Sequence, residues 1–189
     1  MLDSLPGWAR FGVLFALGVG AALGQAPLDL WPATIAALAL LLVLHRDVAS
    51  PRIAAWRVWF FGLGYFAFAL RWIIEPFLVD AARHGWMAPF ALVFMACGAA
   101  LFWAVAGWIA SRIAPRSQLM LALLLVASEM ARSLVLTGFP WALLGHIWVP
   151  TWMAQASAIG GPHLLTGVTL VAALAVARIV RPAWRSGAA

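Results

Sequence analysis

The chain has 189 residues, of which 66% are hydrophobic and only 10% charged, with a mean hydropathy of +1.00. An average soluble domain carries roughly a quarter charged residues, and no soluble domain of this size has enough interior to hide so many apolar side chains. This excludes a soluble globule, a disordered tail and a disulfide-stapled secreted module; lipid is the solvent for most of the chain. The net charge of +6 comes from twelve arginines and no lysine, scattered between apolar runs. Nucleic-acid binding needs a clustered basic patch instead, so no nucleic-acid partner is expected. The single cysteine, Cys97, cannot form an internal disulfide.

A helix rises about 1.5 Å per residue, so crossing a ~30 Å hydrocarbon layer takes ~20 residues. Charge-free stretches at 11–28, 30–45, 84–111 and 133–177 mark the candidates. The first predicted helix runs near 8–24 and stops at Gly24-Gln25-Ala26-Pro27. The second runs near 30–45, the third near 55–78 with Arg71 and Glu75 inside it, and the fourth near 88–110. The fifth runs near 117–135 and contains Glu129 and Arg132; the sixth runs near 162–180. Pro27, Pro51, Pro89, Pro115, Pro162 and Pro182 fall at or just outside these ends, where helix boundaries favour proline. Residues 1–24 also have the apolar core of a cleaved signal peptide, but Asp3 beside a lone Arg10 makes a poor basic leader. That alternative leaves an odd number of spans.

The expected fold is therefore all-α, a polytopic membrane bundle of about six transmembrane helices in a single domain over 1–189. With a cytoplasmic N-terminus, nine of the twelve arginines (10, 46, 52, 57, 112, 116, 178, 181 and 185) lie at inner ends, which places both termini in the cytoplasm. Tryptophans 31, 72, 86, 141, 148 and 152 then mark the outer boundary and 8, 56, 59, 108 and 184 the inner one, with Trp103 inside the fourth helix.

Two pairs of ionisable residues lie within spans. Arg71 and Glu75 are spaced to share one helix face, and Glu129 and Arg132 stand three apart on the next outward helix. Both pairs fall in the outer half of the layer, where such groups are costly and face a partner or a wet cavity. The functional reading is a polar cavity holding a lipid headgroup or reactant. The structural alternative is that each pair neutralises itself or cross-links helices. For Arg71 and Glu75 the structural alternative is preferred, because their side chains can snorkel to the interface.

Thr137-Gly138-Phe139-Pro140-Trp141 follows the fifth helix directly, and residues 137–161 carry no charge yet are too broken by glycine and proline to span. Irregular backbone at membrane depth needs burial in protein or a water-lined cavity. A loop dipping into the outer leaflet, held by Trp141, Trp148 and Trp152, is expected. Gly20 and Gly24 have the spacing of a small-residue helix contact, although glycine and alanine abound throughout. Cys97, between Ala96 and Gly98, reads as a packed small residue. His45, His84 and His163 have no metal-ligand spacing, and neither a metal nor a cofactor is expected.

Glu129, Arg132 and the run Thr137-Gly138-Phe139-Pro140-Trp141, followed by Gly145, resemble the signature of the apolipoprotein N-acyltransferase family. Asp29-Leu30-Trp31-Pro32, Gly62-Leu63-Gly64-Tyr65-Phe66, Gly85-Trp86-Met87-Ala88-Pro89 and Gly160-Gly161-Pro162 are similar to other stretches of the same membrane domain, in the same order. His146 stands where that family more often has tyrosine. The resemblance implies transfer of an acyl chain from a phospholipid to the N-terminal diacylglyceryl-cysteine of a lipoprotein, through a cysteine thioester, at the outer face of the bacterial inner membrane. Membrane phospholipids and lipoproteins are the implied partners. Glu129, Arg132, Thr137, Gly138, Phe139, Pro140, Trp141 and His146 are the candidate residues of a loop where lipid tails pass.

In that family the Glu-Lys-Cys triad sits in a nitrilase-like domain that follows a seventh helix. This chain has no lysine, and Cys97 lies in an apolar helix without a nearby base, where thiolate formation is disfavoured. No catalytic residue is assigned within the 189 residues. The expectation is a truncated membrane domain without acyl transfer of its own. One alternative is a membrane platform that recruits a separately encoded catalytic chain. Another is a small transporter using Arg71, Glu75, Glu129 and Arg132 as a polar path.

Overall fold

The computed structural model describes residues 5–48, 50–135 and 138–186, with side chains described as far as Val180. Among the described residues the only regular structure is helical. Helix α1 spans Gly7–Ala22, α2 Trp31–His45 and α3 Pro51–Ala69. After a 3-10 turn at Arg71–Ile74 come two short helices, α4 at Glu75–Leu78 and α5 at Ala81–His84. Then follow α6 at Ala88–Ile113, α7 at Gln118–Leu134, two 3-10 turns at Leu144–Trp148 and Trp152–Ala156, and α8 at Ser157–Ser186.

Local chemistry sets the boundaries. Ser50 caps α3 by accepting from the Ile53 amide at 3.4 Å, and Ser117 caps α7 by accepting from the Met120 amide at 3.1 Å. Within α8, Gly160 and Gly161 leave helical geometry, Gly161 with a φ of 67°. Pro162 then opens the regular helix, as a residue without an N–H can at a first turn.

Each of the six long helices overlaps one helix predicted from the sequence. The third differs. It breaks at Leu70, and the chain bends by 57° before the Arg71–Leu78 segment. Pro76 stands against one continuous helix: there its ring would clash with the Trp72 carbonyl, whereas in the first turn of α4 its missing N–H costs nothing. Arg71 and Glu75 therefore do not face each other along one helix. Both are exposed, and no ion pair joins them among the described residues. Arg71 instead donates to the Phe68 carbonyl at 3.2 Å and lays its guanidinium over the Phe68 ring.

Two helical stretches, Ala81–Ile113 and Trp152–Val180, are long and apolar enough to cross a membrane; Pro51–Ala69 with Arg71–Leu78 makes a third if the bent pair is one span. Helices α1 and α2 are apolar but shorter. Phe94, Leu101, Val105, Val171 and Ile179 are all exposed, a surface suited to lipid rather than water.

Helix α3 lies at the centre, packed against α1 and α6, while α7 joins α6 to α8 and α2 covers α8. The core is an aromatic stack: Phe61, Tyr65 and Phe66 of α3 surround Trp103 of α6 at ring separations of 6.1, 5.1 and 4.9 Å, all four fully buried. The α1–α3 crossing depends on two reciprocal glycines. A Cβ on Gly18 would strike the Phe61 carbonyl, and one on Gly64 would strike the Phe15 carbonyl. The spaced pair Gly20 and Gly24 does not mediate this contact: Gly20 faces open space, and Gly24 lies beyond α1 against Thr34. Small residues let helix backbones meet where lipid offers no hydrophobic drive. Accordingly, Gly18→Ala is expected to destabilise the bundle by about 1–3 kcal/mol through overpacking. Gly20→Ala should be neutral or slightly stabilising, and titration of both variants with SDS in detergent micelles checks the contrast.

Candidate functional site

Between α7 and the regular part of α8 the chain makes an irregular pass that includes Gly138–Ala156. It begins with a turn only glycine suits. Gly138 has a φ of 78°, its amide donates to the Val135 carbonyl at 3.0 Å, and Phe139 donates back to the Arg132 carbonyl at 2.9 Å. A Cβ at Gly138 would come within 2.5 Å of the Ser133 carbonyl. The chain then runs inward: Ala142, Leu143, Leu144, Gly145 and Ile147 are buried.

Burial leaves the peptide groups of this pass without water, and side chains replace it. Arg132, only 2% exposed, donates from one Nη1 to the Phe139 carbonyl at 2.6 Å and the Trp141 carbonyl at 2.7 Å. Tyr65 Oη donates to the Ala142 carbonyl at 3.1 Å. Gln25, in the turn after α1, donates to the Leu143 carbonyl at 3.0 Å and to Tyr65 Oη at 2.6 Å. Glu129, fully buried, accepts from the Leu144 amide at 3.0 Å through Oε2. The Gly145 amide donates to Thr166 Oγ1 of α8 at 3.2 Å. The Leu144 carbonyl accepts from Thr169 Oγ1 of α8 at 3.3 Å. Thus seven backbone groups between Phe139 and Gly145 are bonded by side chains from α3, α7, α8 and the α1–α2 turn.

The charges that do this neutralise one another. Arg132 Nη2 and Glu129 Oε1 form an ion pair at 3.0 Å, and the same Oε1 accepts from Trp103 Nε1 at 2.9 Å. The Arg132 guanidinium also lies 5.0 Å from the centre of the Phe66 ring. The pair thus faces the loop, not an open cavity. A separate groove of about 460 Å³ runs between α6 and α7, but it is apolar. Its lining hydroxyl, that of Ser128, is spent on the Leu125 carbonyl at 2.8 Å.

Further along, the loop is tied down on α8. A Cβ on Gly145 would approach the Pro162 carbonyl to 2.6 Å, so glycine permits this seating. Trp148 donates from Nε1 to Thr169 Oγ1 at 2.9 Å and stacks obliquely on Trp31 at 5.4 Å. His146 is half-buried in the same turn, and burial pushes its imidazole below the ordinary histidine range, so the ring is neutral near pH 7. Phe139 is half-buried and Pro140 exposed; Thr137 lies outside the described residues. Trp141 keeps its backbone pinned but its indole 55% exposed, against Trp72 at 5.5 Å. The structure thus gathers Glu129, Arg132, Gly138, Phe139, Trp141 and His146 at one end of the bundle. Cys97 is half-buried on α6.

Gln25, Tyr65, Trp103, Thr166 and Thr169 are missing from the candidate site residues read from the sequence. The signal was present for two of them. Tyr65 is the sole tyrosine, and Trp103 is the tryptophan away from both predicted boundaries; each carries a polar atom that needs a partner when surrounded by apolar groups.

The arrangement defines an all-helical bundle, with helices long and apolar enough to cross a membrane, built around a buried loop with a charged clamp. Residues 17–175 match the family model described as the apolipoprotein N-acyltransferase N-terminal domain. The chain belongs to the apolipoprotein N-acyltransferase family. It is 40% identical over 186 residues to an apolipoprotein N-acyltransferase of Caulobacter vibrioides, which covers 95% of this chain and 34% of the relative. It is 37% identical over 180 residues to that of Azotobacter vinelandii (90% and 34%), and 33% identical over 186 residues to that of Pseudomonas paraeruginosa (94% and 36%). The chain spans about a third of the length of these curated relatives.

Removing one member of the clamp leaves a buried charge without its partner, which costs about 3–5 kcal/mol. Glu129→Ala and Arg132→Ala are each expected to lower stability by that order. The double variant Glu129→Ala with Arg132→Ala should lose less than the sum of the two, as neighbours in one network do. SDS unfolding of the four proteins in micelles checks this coupling.

Proposed function

We propose that residues 1–189 form one membrane-embedded domain of an apolipoprotein N-acyltransferase, the six long helices crossing the bacterial inner membrane with both termini cytoplasmic. The loop including 138–148 faces the outer leaflet and meets the tails of membrane phospholipids. The chemistry that moves an acyl chain from phospholipid to a lipoprotein N-terminus is not assigned to these residues: the sequence has no lysine, and Cys97 is half-buried on the apolar helix α6. Glu129 and Arg132 serve as the clamp that shapes the loop, and His146 packs beside it as a neutral ring.

The observation that carries this reading is the loop itself. A stretch of irregular backbone bonded at several points by side chains from several helices is what a polypeptide needs to stay ordered at membrane depth. Its exposed indole, Trp141, then offers an apolar surface where lipid chains lie. Topology is supported by the way the connections assemble. Gln25 and Trp31 near the α1–α2 turn, Trp72 after α3 and the α7–α8 loop meet at one end of the bundle. At the other end, Arg57 Nη1 donates to the Leu44 carbonyl at 3.0 Å and Gln118 Nε2 to the Leu42 carbonyl at 3.1 Å; Arg46, Arg52 and Arg112 stand at the α2 C-terminus, the α3 N-terminus and the α6 C-terminus.

Two measurements test the proposal. In a Cys97→Ala background in cells, a cysteine at Val149 is expected to react with an impermeant maleimide from the outer side, and one at Asp47 only after the membrane is opened. The reverse pattern would contradict the orientation. In a reconstituted full-length family enzyme, the substitution equivalent to Trp141→Ala should lower acyl transfer by roughly tenfold, the scale of a lost aromatic contact, with helix content unchanged. Unaltered transfer would remove the loop from the lipid path.

A further inference from the structure

The clamp explains the backbone of the loop but not the direction of its exposed indole. The Phe139, Trp141 and Ala142 carbonyls are each held by Arg132 or Tyr65, so only the side-chain torsions of Trp141 remain free. A half-exposed side chain with two free torsions populates several staggered positions unless a neighbour selects one. Among the described residues Trp141 has a single ring partner, Trp72, at 5.5 Å and 64°, close to edge-on.

Trp72 has no other ring partner there and is itself 46% exposed, so it contributes little to the core. It sits in the 3-10 turn Arg71–Ile74, directly after the break in α3 that bends the chain by 57°. The break therefore carries Trp72 off the α3 axis and onto the loop.

We propose that Trp72 is the positioning residue for Trp141: by edge-on contact it selects one orientation of that indole and leaves the uncovered side open to a lipid acyl chain. The second half of this statement rests on the reading that the loop meets lipid; the first half does not. An edge-to-face aromatic pair biases an equilibrium by roughly two- to tenfold.

The test uses the full chain with Trp72→Ala and Trp72→Phe, after SDS titration shows both fold as the parent does. Orientation is read by fluorine NMR of protein grown on fluorotryptophan, with the Trp141 line assigned by its loss in Trp141→Phe. One narrow line is expected in the parent, several or a broadened line in Trp72→Ala, and a narrow line again in Trp72→Phe. An equally narrow line in Trp72→Ala would overturn the proposal.

Lipid contact is read in vesicles of phosphatidylethanolamine and phosphatidylglycerol carrying a diazirine-acyl phospholipid. Labelling of the peptide bearing Trp141 should fall roughly two- to tenfold in Trp72→Ala, with labelling at Trp152 unchanged. An equal fall at both peptides would mean that Trp72 only anchors the chain at the interface, and would also overturn it. Absence of label on the parent loop would defeat the lipid reading alone, while the fluorine spectra still decide the positioning role.

Discussion

Taking a peptide group out of water without giving it a hydrogen bond costs roughly 2–7 kcal/mol, and in a chain this apolar most of the surroundings offer no bond. Helices satisfy the requirement internally; a loop cannot. The pass between α7 and α8 therefore places a demand on the rest of the molecule, and much of the architecture meets it. Arg132, Tyr65, Gln25, Glu129 and Thr166 each supply a polar atom to a different point of the loop. These residues lie far apart in sequence, so the loop can be correctly held only when α1, α3, α7 and α8 are already in register.

The same demand accounts for the buried charges. An ion pair in an apolar interior is seldom worth its desolvation through attraction alone. Glu129 and Arg132 suit this place because a carboxylate and a guanidinium together hold more donors and acceptors than neutral side chains of like size. Their own attraction is secondary to the two carbonyls, one amide and one indole they bind. Trp103, at the centre of the aromatic stack, links this clamp to the core, so the packing of α3 against α6 and the shape of the loop are parts of one network.

Helix positions were legible in the sequence because charge, proline and apolar length all act locally. The loop was legible too, from glycine and proline in a charge-free stretch. What escaped was long-range pairing. Glu129 and Arg132 announce themselves as costly groups, but nothing in their spacing says that their partners are backbone atoms of the following loop. Gln25 sits in what reads as a helix stop, and its partners lie 40 and 118 residues away. The break in α3 was signalled by Pro76, yet apolar length alone favoured one continuous helix. The reciprocal glycines Gly18 and Gly64 have no mark that separates them from Gly20, since their role exists only where α1 meets α3.

The central claim is that the loop is a fixed part of the bundle, held by side chains rather than by water or lipid. Amide hydrogen exchange at Leu144 and Gly145, whose N–H groups donate to Glu129 and Thr166, tests it most directly in the intact chain in nanodiscs. Exchange at those two amides as slow as in the buried turns of α7 is the predicted result, since opening them requires breaking the clamp. Exchange as fast as in the exposed segment around Val79 and Asp80 would contradict the account.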